Sequence, residues 1–288
     1  MNHAESHAEI HAAMKGAAAI VRLPLRHARW TGSSGVAAGR GTGSSLEFQD
    51  HRHYCPGDDP RHINWQAYAR TGHYTMKLYR QEVTPRVDLI FDASASMFLN
   101  EAKSVRVWEL LYFTLESALR LGASVKLHTL RQDVRETPID RALAYDWPEE
   151  TSAGKPELCT LLERVSLRAG SLRVVVSDLL DESPPERAVA ALSINRGRAL
   201  LLAPFCVEES NPDWSGNIEF EESEMQVLTK QRVEPDVHAR YLRAYETHFF
   251  LWREQCARRG IGFARVSSDA EFLAALRAEA VAAGVVEM

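Results

Sequence analysis

The residues best suited to chemistry lie in the stretch DLIFDASASMF, residues 88–98. An apolar run ends there in Asp92, and two hydroxyl side chains follow at alternate positions, Ser94 and Ser96. A second apolar run, in VVVSDLL, ends in Asp178. If the two strands are neighbours, these four side chains place hard oxygen donors around one point, which suits Mg²⁺ or Mn²⁺. The same residues also suit helix caps and Asx turns, and the spacing alone favours that interpretation.

Two enzyme motifs are close to this turn but are not matched by it. A phosphoryl-transfer turn of the haloacid dehalogenase type requires a second Asp two residues after the nucleophile, where this chain has Ser94. A hydrolase elbow requires Gly-x-Ser-x-Gly, and both glycine positions hold other residues. We therefore assign no catalytic residues and expect a protein that is not an enzyme.

Composition limits the classes of partner. The chain has 288 residues, a net charge of −5 and a pI of about 6.1, which gives no tendency to bind nucleic acid or anionic membranes. The longest apolar runs are about half the length of a membrane span. The four cysteines form no CxxC pair. With no secretory signal at the N-terminus, we expect reduced thiols and a cytoplasmic location.

From residue 87 onward, apolar runs typical of buried strands alternate with segments of helical periodicity. Strands are predicted at VDLIFDA, ASVKLHTL, LRVVVSDLL, RALLLAPFCV and GIGFARVSS, with helices between and after them. Because several runs are apolar on both faces, we expect an α/β fold with a mainly parallel sheet and helices on both sides. Ligands of such sheets bind outside the carboxyl ends of the strands, where both Asp motifs lie.

The N-terminal segment offers two weaker signals. His3, His7 and His11 fall one turn apart in an Ala-rich helix over residues 1–20, a spacing that can bind a transition metal. We favour a frayed polar terminus instead. The Gly/Ser-rich stretch at residues 31–45 lacks the Gly-Lys-Ser/Thr ending of a phosphate loop, so we expect a surface loop.

A third motif, CPGDDPRHINWQAYAR, begins at Cys55. Pro56-Gly57 predicts a turn, and the two aspartates that follow are placed to cap a short helix. Ile63 and Trp65 are predicted to anchor the segment on the main domain, with the Trp65 indole as a core anchor. The block is either structural or a binding surface, and both interpretations stay open for its members Gly57, Asp58, Asp59, Arg61, Trp65 and Arg70.

These motifs together resemble a family. Asp-x-Ser-x-Ser at one strand end and SDLL at another resemble the metal-ion-dependent adhesion site of von Willebrand factor A domains. The longer segment from Glu47-Phe48 through Pro-Gly-Asp-Asp to Ala69-Arg70 is similar to the signature of the bacterial Domain of Unknown Function 58 family. The resemblance covers roughly residues 20 to 275.

The resemblance implies a von Willebrand A-like domain over residues 87–288, preceded by an N-terminal extension over residues 1–86. It also implies a non-catalytic partner of MoxR-class AAA ATPases, acting in chaperone-like maturation or remodelling of a client protein. Its metal site would use Asp92, Ser94, Ser96 and Asp178. A threonine ligand of that site is replaced here by Pro156, so we expect weak Mg²⁺ or Mn²⁺ binding.

Two other classes of protein remain as alternatives. One is a metal-dependent hydrolase that uses Asp92 and Asp178 together with the histidines of the N-terminal segment, namely His51, His53 and His62. The other is a scaffold whose metal site is degenerate. Thr151 or Ser152 would replace the missing threonine only if their loop folds back.

Overall fold

The computed structural model of the chain describes residues 3–25, 48–79, 84–147, 157–221 and 228–288. The described residues fall into two compact units. The larger contains residues 3–25 and all described residues from Arg86 onward, and the smaller lies within residues 48–85. The predicted Gly/Ser loop at 31–45 lies outside the described residues, as do Thr151, Ser152 and Pro156.

The described residues form helices and strands in the predicted alternation. The helices are α1 (His3–Ile20), α2 (Trp65–Thr71), α3 (Glu101–Arg120), α4 (Ile139–Leu143), α5 (Leu158–Arg164), α6 (Pro185–Leu192), α7 (Val207–Ser210), α8 (Pro235–Arg258) and α9 (Phe272–Glu279). The strands are β1 (Phe48–His53), β2 (Thr75–Tyr79), β3 (Arg86–Asp92), β4 (Ser124–Leu130), β5 (Val134–Thr137), β6 (Leu172–Val176), β7 (Arg198–Phe205), β8 (Gly216–Glu221), β9 (Leu228–Val233) and β10 (Gly262–Ser267). Among the described helices, none is long and apolar enough to cross a membrane.

A central sheet organises the larger unit. Within the described ranges its strand order is β10-β7-β6-β3-β4-β5. Every neighbouring pair is parallel except β4 and β5, which form an antiparallel edge. The predicted mixed α/β fold with a mostly parallel sheet is therefore confirmed.

The path of the chain through this sheet reverses at β3. From β3 the chain runs outward to β4 and β5, and then returns to β6 on the other side of β3. The carboxyl ends of β3 and β6 therefore form a topological switch point, which is where open α/β sheets leave a crevice. Asp92 is the last residue of β3, and Asp178 lies two residues beyond the end of β6.

The sheet has an apolar core on both faces. Successive side chains of a strand point to opposite faces of the sheet, so adjacent residues of β3 pack into different apolar layers. Ile90 belongs to the buried cluster formed with α5, α6 and α8, which includes Trp252. The ring of Phe91 lies 5.4 Å from that of Trp108 in α3, on the other face. Each large apolar side chain buried in this way stabilises the folded state by about 1.5–3 kcal/mol. The two apolar layers together therefore hold the strands, and with them the strand ends, in place.

Helix α1 packs on α3 and belongs to the larger unit, although the sequence assigned it to an N-terminal extension. His7 and His11 are buried in that contact. His11 lies 2.6 Å from Glu116 Oε1 and 3.0 Å from the hydroxyl of Tyr145, and His7 Nδ1 lies 2.9 Å from that of Tyr112. The expected frayed terminus is therefore wrong for α1, because its imidazoles find hydrogen-bonding partners in the core.

The smaller unit is built on two antiparallel strands, β1 and β2, joined through a 3-10 turn and α2. Asn64 caps α2 by accepting a hydrogen bond from the N–H of Ala67. Gly72 ends the helix in the left-handed region, with φ of 69°. That conformation favours glycine, and it turns the chain back into β2.

Candidate functional site

The first strand end forms a tight polar turn. Asp92 is fully buried, and its Oδ1 accepts a hydrogen bond of 3.1 Å from the N–H of Ser94. The hydroxyls of Ser94 and Ser96 lie 3.2 Å apart. The three predicted residues of this motif are therefore brought together, in the geometry of an Asx turn.

The second strand end is joined to the first by Ser177. Its hydroxyl donates to Asp92 Oδ2 over 2.7 Å, which links the ends of β6 and β3 directly. The next residue, Asp178, is buried, and its Oδ1 accepts the N–H of Leu180 at 3.2 Å. Asp92 and Asp178 thus lie at the carboxyl ends of adjacent strands, as their sequence positions predict.

A buried lysine contacts both strand-end loops. Lys103 lies in the first turn of α3, and its side chain is 0% exposed. Its ammonium group donates to the carbonyl oxygen of Ser96 at 2.8 Å and to Asp178 Oδ2 at 2.9 Å. It also donates to Glu209 Oε1. The ammonium group therefore joins the loops that follow β3, β6 and β7.

Glu209 is held in place from several sides. Its second carboxylate oxygen accepts the N–H of Cys206 at 3.0 Å, which closes a capping box around α7. Its carbonyl accepts the hydroxyl of Tyr241, in α8, at 2.6 Å. The burial of Lys103 lowers the pKa of its ammonium group, but the nearby charges of Asp178 and Glu209 outweigh this effect and raise that pKa above its usual value. Lys103 is therefore charged at neutral pH.

The loop after β6 is held in a conformation that is uncommon for its residue type. Leu179 has φ of 60°, in the left-handed region, and its side chain is buried. A leucine in that region costs on the order of 1–3 kcal/mol, so its surroundings must hold it there. Asp178 fixes the N–H of Leu180, and His248 Nε2 lies 2.7 Å from the carbonyl oxygen of Leu179. The result is that Leu180 is exposed at the carboxyl end of the sheet.

The arrangement of these donors does not fit the divalent ion that the sequence suggested. Asp178 offers one oxygen to an ammonium group and the other to a backbone N–H. Both oxygens of Asp92 accept hydrogen bonds, from Ser94 and Ser177. A dication would therefore have to displace these donors, and the Lys103 ammonium group already occupies one oxygen of Asp178. As they are arranged, the carboxylate oxygens at the two strand ends are engaged by donors of the chain itself.

The Pro-Gly-Asp-Asp block forms two local ion pairs in the smaller unit. Asp58 accepts two hydrogen bonds from the guanidinium of Arg52, at 2.6 and 2.5 Å, and one from the N–H of Cys55 at 2.8 Å. Asp59 caps the turn Pro60–His62 and pairs with the guanidinium of Arg61, which lowers the pKa of Asp59 to about 2. The hydrogen bonds of the two aspartates therefore stabilise the segment between β1 and α2.

Trp65 does not anchor this block in a core. Its side chain is 57% exposed, because the short helix α2 holds no buried residue. The indole lies beside Tyr68 and Tyr74, at ring distances of 6.1 and 6.4 Å. The predicted core role of Trp65 is therefore wrong, and the block instead carries an exposed aromatic surface. Arg70 is exposed on the same helix.

The histidines of the hydrolase alternative lie in the smaller unit. The rings of His53 and His73 lie 6.5 Å apart, and His62 ends the 3-10 turn. The side chain of His51 lies outside the described part of the chain.

Sequence reasoning missed two residues of the larger unit's site, Lys103 and Glu209. The signal for Lys103 was available: Val107 and Leu110 follow it at helical spacing, so a charged residue stands on the apolar face of α3. For Glu209 the signal was weaker: it lies three residues after Cys206, which is the spacing of a capping box, but Cys stands where that motif has Ser or Thr.

Comparison with known proteins places these features in a family. No curated protein matches the chain. Among solved structures, the conserved hypothetical protein BatB from Bacteroides thetaiotaomicron is 13% identical over 68% of this chain and 96% of its own, with a TM-score of 0.39. An aerotolerance-related membrane protein from Bacteroides fragilis is 14% identical over 60% of this chain and 99% of its own, with a TM-score of 0.31. The family described as "Protein of unknown function DUF58" matches residues 50–249, which include the Pro-Gly-Asp-Asp block and both strand-end motifs, and the chain belongs to that family.

Proposed function

We propose that this chain is a non-catalytic, von Willebrand A-like interaction protein that binds a MoxR-class AAA ATPase in the cytoplasm. The binding surface is the strand-end face, which we define as the loops after β3, β6 and β7. The observation that carries the proposal is a set of three aliphatic side chains, one from each loop. These are Leu99, Leu180 and Val207, which are 38–49% exposed.

Exposed aliphatic side chains around a buried polar centre are typical of protein-binding surfaces. Single exposed apolar residues are common, but these three follow the carboxyl ends of three neighbouring strands, β3, β6 and β7, at one edge of the sheet. Beneath them, Lys103, Asp178 and Glu209 fix the loops through buried ion pairs. A rigid surface loses less conformational entropy when it binds, which favours affinity.

The chemistry of the same face supports binding more than catalysis. Asp92 and Asp178 are buried and already engaged in hydrogen bonds, so neither is poised as a general base. Cys206 is the thiol nearest to this site in sequence, and burial raises its pKa to about 12. A protonated thiol is a weak nucleophile at neutral pH.

In this proposal the ATPase would mature or remodel another protein, the client. The role of this chain would be to connect that motor to its client. The smaller unit offers a second candidate contact for that client, an aromatic surface of exposed Trp65 and Tyr74 with half-buried Tyr68 stacked on Tyr74.

The test is the affinity of a purified MoxR-class ATPase for defined variants of this chain. Leu180→Asp places a charge on the strand-end face and should weaken binding at least about tenfold. The matched control is Ile194→Asp, an aliphatic residue that is 47% exposed, against 38% for Leu180, and precedes β7 at the opposite end of the sheet. Equal losses in both variants, or none in either, would remove the strand-end face from the interaction. Turnover of a phosphoester or peptide that is abolished by Asp92→Ala would favour the hydrolase instead.

A further inference from the structure

Burying the charged side chain of Lys103 at its position in α3 is unfavourable in free energy. Lys103 is the third residue of α3, where the helix dipole disfavours a positive charge. Removing an ammonium ion from water costs several kcal/mol even after the protein relaxes. A side chain that is 0% exposed cannot recover that cost by reaching solvent. Its surroundings must therefore supply the compensation.

That compensation comes from oxygen atoms of three different loops. An ammonium group has three N–H donors. Lys103 directs them at the Ser96 carbonyl oxygen, at Asp178 Oδ2 and at Glu209 Oε1. These partners lie 7, 75 and 106 residues away along the chain, so the contact is tertiary. Each of the three N–H donors of the ammonium group therefore has an acceptor, and two of these acceptors are carboxylates.

The ligands of this ammonium group are of the type that a hard metal ion would use. Carboxylate and backbone carbonyl oxygens are the donors that Mg²⁺ and Ca²⁺ take in proteins. Here the cation is attached covalently to α3, at the junction of the loops that present Leu99, Leu180 and Val207.

We propose that the ammonium group of Lys103 is the resident cation of the strand-end site, standing where a divalent metal would otherwise bind. The site is then complete without metal. Because the inference concerns the cation and not the partner, it does not depend on the proposed function, and its test uses stability instead of binding to the ATPase.

The hydrogen bonds of the two strand-end carboxylates support this assignment. Both oxygens of Asp92 and both oxygens of Asp178 already accept hydrogen bonds from donors of the chain, so a dication would have to compete with these donors and with the ammonium group itself. If the lysine is shortened, two buried carboxylates and one carbonyl oxygen are left around an open space. That is a set of hard ligands for Mg²⁺ or Mn²⁺.

The first measurement is the thermal unfolding midpoint of the full-length wild-type chain. It is recorded in EDTA and across titrations of MgCl₂ and MnCl₂. We expect the same midpoint in all three conditions after correction for ionic strength with NaCl. A saturable rise with either ion that is lost in Asp92→Asn would overturn the proposal.

The second measurement uses Lys103→Ala, with Lys126→Ala as the matched control. Lys126 forms an exposed ion pair with Glu136, at 2.7 Å. We expect Lys103→Ala to have a lowered midpoint that rises with Mg²⁺ or Mn²⁺, and Lys126→Ala to remain insensitive to both ions. A folded Lys103→Ala protein that responds to neither ion would contradict a cation position. If that variant does not fold, Lys103→Ala/Glu209→Gln, which also removes one of the uncompensated carboxylates, is measured instead. A midpoint that rises with Mg²⁺ or Mn²⁺ would again support the proposal, and a midpoint that responds to neither ion would contradict it.

Discussion

Lys103 Nζ lies 2.9 Å from Asp178 Oδ2, in a contact that joins the start of α3 to the loop after β6. Both groups are buried, so this ion pair is not screened by solvent as a surface pair would be. It fixes the second Asp motif relative to the first, since the same ammonium group also binds the carbonyl oxygen of Ser96. The geometry of the strand-end face therefore depends on this lysine as well as on the hydrogen bond between Ser177 and Asp92.

The first prediction concerns this ion pair. Lys103→Met keeps most of the side-chain volume but leaves two buried carboxylates uncompensated, so we expect a loss of about 3–5 kcal/mol in the free energy of unfolding. Urea denaturation followed by circular dichroism measures the change. Lys126→Met, which breaks an exposed pair, should cost less than about 1 kcal/mol. Equal costs for both variants would show that burial of Lys103 carries no energetic weight.

The second prediction concerns coupling between Lys103 and Glu209. If the two charges compensate each other, Lys103→Met/Glu209→Gln should be more stable than the sum of the single losses predicts. The interaction energy should fall within about 0.5–3 kcal/mol. A complete double-mutant cycle in urea measures it, and strict additivity would contradict a direct interaction.

The third prediction compares the loss of stability when an exposed and a buried tryptophan are each replaced by alanine. Trp65→Ala should change the free energy of unfolding by only about 0.5 kcal/mol, because its indole is exposed. Trp252→Ala removes a side chain that is 1% exposed and should cost about 3–5 kcal/mol. Chemical denaturation of the two variants gives the comparison. A large loss in Trp65→Ala would restore the core role that its sequence context suggested.

The fourth prediction concerns the titration of Asp59. Its pKa, lowered to about 2 by Arg61, lies below the ordinary value of 3.8. The stabilisation from this ion pair is therefore present above about pH 4 and is lost as the pH falls through about 2. Carboxyl chemical shifts measured by NMR should give a midpoint near 2 in the wild type and a higher one in Arg61→Gln. Arg70→Gln should leave the midpoint unchanged, and an ordinary value in the wild type would refute the pairing.

The fifth prediction concerns the attachment of α1. His11→Ala removes hydrogen-bonding partners of Glu116 and Tyr145 from a buried contact, so we expect a loss of about 1–3 kcal/mol. Glu9→Ala on the exposed side of the same helix should have an effect within about 0.5 kcal/mol. Denaturant unfolding of both variants distinguishes a docked helix from a frayed one, for which neither change would matter.

The sequence predicted the sheet and the position of both Asp motifs because those features are local. An apolar run that ends in Asp92 predicts both a strand and where it ends, and the run before Asp178 does the same. The alternation of strands and helices then favours parallel pairing.

Other parts of the site depend on contacts that no local pattern contains. The partners of Lys103 lie as far as 106 residues away, so only the fold shows that the lysine is compensated. His7 and His11 look like a polar helix face until Tyr112 and Glu116 of α3 are seen opposite them. Trp65 was assigned to the core by residue type, but a seven-residue helix in a small unit has little interior to offer.

The central claim is that the strand-end face binds the ATPase, and amide hydrogen exchange of this chain with and without the purified MoxR-class ATPase tests it most directly. We predict added protection in residues 93–100, 178–184 and 206–210, the loops after β3, β6 and β7. The same pattern should appear in EDTA, because the cation of the site is Lys103. Protection confined to the aromatic surface around Trp65, with those three loops unchanged, would contradict the account.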